Sequence, residues 1–194
     1  MNGPGAPYER LDDLHLRRIT MRGYRLANDL FEIEGHIIDT KPVDFAPASG
    51  DYRVPADEPI HDMGLSLIFG SDMVVRDVRT FTRATPYEMC PAAASAMRAI
   101  IGLQIGRGWN KEVQRRLPPA SRCTHLAELL GPMATAALQA MSGLRQDRPD
   151  PVDAQGRPLQ LGTCFAYSPH SDLVKRRWPD FYEPVSQQAE IDER

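Results

Sequence analysis

The chain has 194 residues, 42% hydrophobic and 25% charged, which is the composition of one ordinary globular domain. Its 26 acidic and 23 basic residues leave a formal charge of −3 spread along the sequence, so no basic field draws in nucleic acid or an anionic membrane surface. Cys90, Cys123 and Cys164 lie far apart with no CxxC spacing, which argues against a disulfide scaffold and for reduced thiols in a cytoplasm.

The N-terminal stretch MNGPGAPYERLDDL lacks the basic and apolar regions of a signal peptide, and no run approaches the ~20 apolar residues of a membrane span. Residues 1–13 read as a flexible arm, 14–180 as a single α+β domain and 181–194 as a flexible acidic tail. LHLRRITMRGY and DLFEIEGHIID read as two strands joined by a turn at Asn28 and Asp29, and HDMGLSLIF and MVVRDVRTF as a second hairpin turning at GSD. Between the hairpins, Pro42, Pro47, Pro55 and Pro59 restrict a long loop, which is expected to act as a lid.

Helical composition begins at RATPYEMCPAAASAMRAIIGL, where Thr85, Pro86 and Glu88 form a capping-box pattern that predicts the helix start. GWNKEVQRRL predicts a shorter helix with Trp109 as a packing anchor, and SRCTHLAELLGPMATAALQAMSGL a long one with Pro132 inside it. LQLGTCFAYS and LVKRRWP are expected to add short strands, with Lys175 to Arg177 on a solvated edge. The predicted architecture is an antiparallel sheet of four or more strands, built from two hairpins and packed against about three helices.

Candidate chemistry concentrates in FEIEGHIIDTKPVDF. Alternation along a strand puts Phe31, Ile33 and Ile37 on one face and Glu32, Glu34 and His36 on the other, with Glu34 and His36 ~7 Å apart. Asp39 and Lys41 follow at the strand's end, where they can pair at a cleft, and His61 and Asp62 open the third strand. Imidazole, carboxylate and amine groups held together can exchange protons near neutral pH, so Glu34, His36, Asp39, Lys41, His61 and Asp62 are the candidate catalytic set. Whether His61 and Asp62 come back to face His36 and Lys41 is a question of topology.

Tyr24, Tyr52, Tyr87 and His125 are candidates for orienting a substrate ring. In RCTHLAELLGP, His125 and Glu128 share a helical face behind Cys123, and Cys90, Cys123 and His125 form an alternative metal or thiol centre. The glycines of GLQIGRGW lack a phosphate-loop or dinucleotide spacing and read as a helix end and tight turn.

The succession RRITMRGY, IEGHIIDTKP, IHDM, PYEMC, GLQIGRGW and CTHLAELLGP resembles the bacterial family called domain of unknown function 2889, from about His15 to Met141 and again at Trp178 and Pro179. The resemblance implies an association with bacterial breakdown of plant-derived aromatic compounds, and so a small-molecule enzyme. The expected function is cofactor-independent acid–base chemistry on a hydroxylated, lignin-type aromatic, with a carbon–carbon lyase releasing formaldehyde as the leading reaction. The expected partners are a small aromatic substrate and a second copy of the chain, with no nucleic acid and no membrane. The alternatives are a non-catalytic binding or sensing protein for small aromatic ligands and a metal-dependent enzyme using Cys and His ligands.

Overall fold

The computed structural model describes residues 8–48, 52–144 and 149–184. The chain divides into two compact units, Met1–Leu144 and Arg145–Arg194, and the stretch read as one domain spans that division. The expected arm and acidic tail lie largely outside the described residues, as does part of the proline-bounded loop.

The first unit carries the predicted four-stranded antiparallel meander: β1 (Leu16–Arg25), β2 (Phe31–Thr40), β3 (Pro59–Phe69) and β4 (Val75–Ala84), paired in that order. Asn28 and Asp29 both take left-handed φ angles, of 60° and 56°, in the β1–β2 turn, a conformation that Asn and Asp tolerate better than other side chains. The loop after β2 is held by a bridge between Phe45 and Val54 and by the Asp44 carboxylate, which accepts from the Ala56 amide.

A 3₁₀ helix (Cys90–Ile100), α1 (Trp109–Arg116) and α2 (Thr124–Gly143) complete this unit. The first helix starts four residues later than the Thr85 capping box predicts. Thr85 donates its hydroxyl to the Tyr87 carbonyl instead of accepting from a helix amide, and Pro91, without an N–H, occupies the first turn. Trp109 is buried as expected, and its indole donates to the Leu130 carbonyl at 2.9 Å, tying α1 to α2.

One sheet face supplies Ile33, Ile37, Met63, Leu65, Leu67 and Phe69 to the core, against Leu126, Leu129, Leu130 and Met133 of α2. The spacing of those helix residues gives α2 a continuous apolar stripe. No helix among the described residues is long and apolar enough to cross a membrane.

The second unit corrects the expected C-terminal strands. LQLGTCFAYS becomes a turn-rich segment with a 3₁₀ turn at Phe165–Tyr167, and LVKRRWP lies mostly in α3 (Asp172–Arg177). Ser171 caps α3 by accepting from the Val174 amide at 3.2 Å, and Lys175, Arg176 and Arg177 sit in its last turn, where the helix dipole favours cations. Leu161, Val174 and Trp178 form a separate small core. Asp150 anchors it by accepting from Arg177 at 2.6 Å and from the Trp178 indole at 2.9 Å.

Candidate functional site

Register decides which side chains meet. Asp39 on β2 pairs with Arg17 on β1 and with His61 on β3, so three functional side chains stand in a row across the helix-covered face. A β-bulge follows between Asp39 and Thr40. Asp39 is 1% exposed, yet its two oxygens are well satisfied. Arg17 grips them bidentately at 2.8 Å each, His15 Nε2 donates to Oδ1 at 3.1 Å, and His61 Nδ1 donates to Oδ2 at 3.0 Å.

The N-terminal turns of α2 close this centre from above. The His125 ring lies against His61 with centroids 3.8 Å apart, and its Nε2 is 4.0 Å from Asp39 Oδ2. One helical step on, Glu128 accepts from the outer nitrogen of Arg17 at 2.7 Å.

Electrostatics follow from these contacts. Burial by itself would raise the Asp39 carboxyl, but Arg17 outweighs it and, with His61 and His15, holds it below the usual carboxylate range. Arg17 is raised above its already high value, chiefly by its hydrogen bonds to Asp39. Burial lowers both His61 and His125, His61 further because His125 is beside it and His125 further because Arg17 is near, so both rings are neutral at pH 7.

The opposite face holds a second, smaller arrangement. His36 Nε2 donates to Asp62 Oδ1 at 2.6 Å, and the Phe81 ring stands edge-on to the imidazole at 5.2 Å. Arg83 lies 3.7 Å from the same Asp62 oxygen and stacks over Phe81 at 4.8 Å. Arg83 also lines a cleft of about 640 Å³, with Tyr52, Val54, Pro59, Tyr87 and Met89 on its walls. The Tyr52 hydroxyl donates to the Thr85 carbonyl across that cleft.

The six candidate catalytic residues are therefore divided by the sheet. His61 joins Asp39 on one face, and Asp62 joins His36 on the other. Glu34 is on the His36 face opposite Ser66, while Lys41 reaches the Leu14 carbonyl at 3.4 Å rather than pairing with Asp39. Of the ring-orienting candidates, Tyr52 and Tyr87 share the cleft. Tyr24 pairs with Glu32, seven residues along β1 from Arg17 and so ~23 Å from it by strand rise. His125 belongs to the Asp39 centre.

Cys123 is the residue preceding α2 and its sulfur lies 3.7 Å from that of Met63. Burial, and then the nearness of Cys123, push the Cys90 thiol up, away from the thiolate that a nucleophile needs. Among the described residues, the one group of three whose ligand atoms lie within 4.8 Å of one another is Asp39, His61 and His125, and neither cysteine is in it. His15, Arg17, Phe81 and Arg83 were not singled out from sequence. The signal for Arg17 was available, because Asp39 continues the buried alternation of Ile33 and Ile37 and a buried carboxylate needs a cation.

The family model described as protein of unknown function (DUF2889) matches residues 15–139, which includes both faces of the sheet and α2 up to Gln139. The chain belongs to that family. No curated protein and no solved structure matches it. In this DUF2889 member the matched segment begins at His15 and contains every residue of the Asp39 centre, the His36–Asp62 pair and the cleft.

Proposed function

We propose that this DUF2889 protein is a small-molecule enzyme that uses His36 and Asp62 for acid–base chemistry on a hydroxylated aromatic compound bound in the adjoining cleft. The observation that carries the reading is Arg83, which both contacts the carboxylate orienting His36 and lines the tyrosine-walled cavity. A proton-transfer group needs a substrate cavity beside it, and the Asp39 centre lines neither the cleft nor the smaller hollow between α1 and α2.

Asp62 holds His36 through Nε2, which leaves Nδ1 as the lone-pair nitrogen of the neutral ring. In the leading reaction, Nδ1 takes the proton of a hydroxymethyl side chain. The carbon–oxygen bond becomes the carbonyl of formaldehyde as the carbon–carbon bond breaks. The released electron pair forms a double bond conjugated with the ring as an oxygen substituent on the next carbon departs, and that oxygen receives the proton from the imidazolium. Asp62 stabilises the imidazolium in between, and Arg83 favours the departing oxygen's negative charge.

Free thiols at Cys90, Cys123 and Cys164 support a cytoplasmic setting, and the exposed edge strand β1 supports pairing of two copies. A second reading, a binding protein for aromatic ligands, is favoured by the size of the cleft, whose walls do not include His36 or Asp62. Incubation with hydroxymethyl-bearing lignin-type aromatics separates the two. The enzyme reading expects formaldehyde and a conjugated product in equal amounts, and tight binding with no product would establish the second reading instead.

A further inference from the structure

Three of the protein's five histidines gather around one buried aspartate, on the sheet face away from the proposed catalytic pair. Arg17 already grips both oxygens of Asp39, so three histidines are more than satisfying that one carboxylate requires. We propose that Asp39, His61 and His125 form a binding site for a divalent transition-metal ion, zinc being the ion that a set of two imidazoles and one carboxylate suits.

The geometry centres on one atom. His61 Nδ1 and His125 Nε2 both approach Asp39 Oδ2, at 3.0 Å and 4.0 Å. Two donors bound tetrahedrally to zinc at ~2.1 Å lie about 3.4 Å apart, a value these distances bracket. The longer one exceeds a hydrogen bond, so His125 is directed at the carboxylate without bonding to it. Shifts of about half an ångström bring each imidazole nitrogen to that separation from Oδ2, and the proton of the His61 ring moves from Nδ1 to Nε2 so that Nδ1 offers its lone pair to the ion.

Charge favours the ion as well. Two fixed carboxylates, Asp39 and Glu128, stand against the single cation Arg17, and Arg17 remains as the group that orients the ligand carboxylate. Three protein donors leave a coordination position open, and His15, on the other oxygen of Asp39 at 3.1 Å, stands outside the group of three. The placement differs from the cysteine-based alternative, since the soft thiols of Cys90 and Cys123 stand outside the group.

The test is metal content and cobalt spectroscopy of the full chain. Protein made in zinc-supplemented medium is expected to carry about one zinc per chain, and chelator-stripped protein to take up one Co²⁺ with visible absorption of a four- or five-coordinate site. His61→Ala and His125→Ala should each weaken Co²⁺ binding by more than the ~10–100-fold that loss of a supporting hydrogen bond costs. His170→Ala, in the second unit, should bind as the parent does. If the histidine variants fail to fold, the parent decides: zinc should raise its unfolding temperature and give a stoichiometric cobalt spectrum. Absence of both in the parent, or a cobalt spectrum unchanged in a folded His125→Ala, overturns the site. Formaldehyde release is scored separately, so loss of the metal reading leaves the His36 reading standing and the reverse.

Discussion

Consecutive residues on a strand face opposite ways, and in the pair His61–Asp62 that rule separates two kinds of chemistry. His61 is recruited to a carboxylate that is out of water, and Asp62 to an imidazole that is partly in it. Asp39 sits where removal of its charge is costly, because Arg17 would lose the buried carboxylate it grips with two nitrogens and keep only the exposed Glu128 as counter-charge. Asp39→Asn is expected to destabilise the first unit by about 3 kcal/mol or more, read as a drop in the denaturant midpoint, whereas Lys41→Ala, which loses one contact at 3.4 Å to a carbonyl, should stay within ~0.5 kcal/mol of the parent. The alternation that assigned Ile33 and Ile37 to the core already assigned Asp39 there, and it already placed His61 and Asp62 on different faces. Treating the six residues as one rim set that rule aside. The partnership with His125 could not be read in the same way, because it depends on where α2 crosses the sheet.

At the scale of elements, hairpins were legible and helix starts less so. Asn28 and Asp29 fix the first turn through conformations few residues adopt, so strand pairing followed. Thr85, Pro86 and Glu88 satisfied a capping pattern, but a second proline at 91 offered a competing start that sequence could not rank. In the C-terminal segment, Ser171 and three basic residues were helix-end signals that an apolar run disguised as a strand. Close approach within the sheet gives a further test. A Cβ on Gly64 would stand 2.5 Å from the Phe81 ring and against the Gly35 carbonyl oxygen, so Gly64→Ala should destabilise by about 1–3 kcal/mol and loosen the ring packed on His36. Thermal unfolding together with the aromatic NMR signals of Phe81 checks both effects.

The small core around α3 carries a pH dependence whose sign follows from Asp150. Arg177, and then the Trp178 indole, hold its carboxyl below the usual carboxylate range. A depressed folded value means that the stabilisation is complete above the unfolded carboxylate pKa of ~3.9 and is lost as pH falls through the lower folded one. Hydrogen-exchange protection of the Trp178 indole N–H should therefore hold at neutral pH and fall in acid below about pH 4. In Asp150→Asn it should already be weakened at neutral pH and nearly flat across the same acid range.

For the first unit as a whole, the sheet acts as a partition: one face is packed by α2 around Asp39 and its histidines, and the other presents a histidine–aspartate pair tied by Arg83 to an aromatic cleft. The two hairpins were legible because a short turn leaves one way to pair the strands it joins, while β2 and β3 pair across the long proline-bounded loop. The placement of α2 and of the cleft was not, since each depends on the path of long connections between the elements. The most direct measurement is the rate of formaldehyde release from a hydroxymethyl-bearing aromatic by the parent and by Asp62→Asn, a change that keeps the shape of the side chain and removes its charge. Turnover by the parent and a fall of at least ~100-fold in the variant is the expected result. Equal rates in the two proteins, or no release by the parent, would contradict the role assigned to His36 and Asp62.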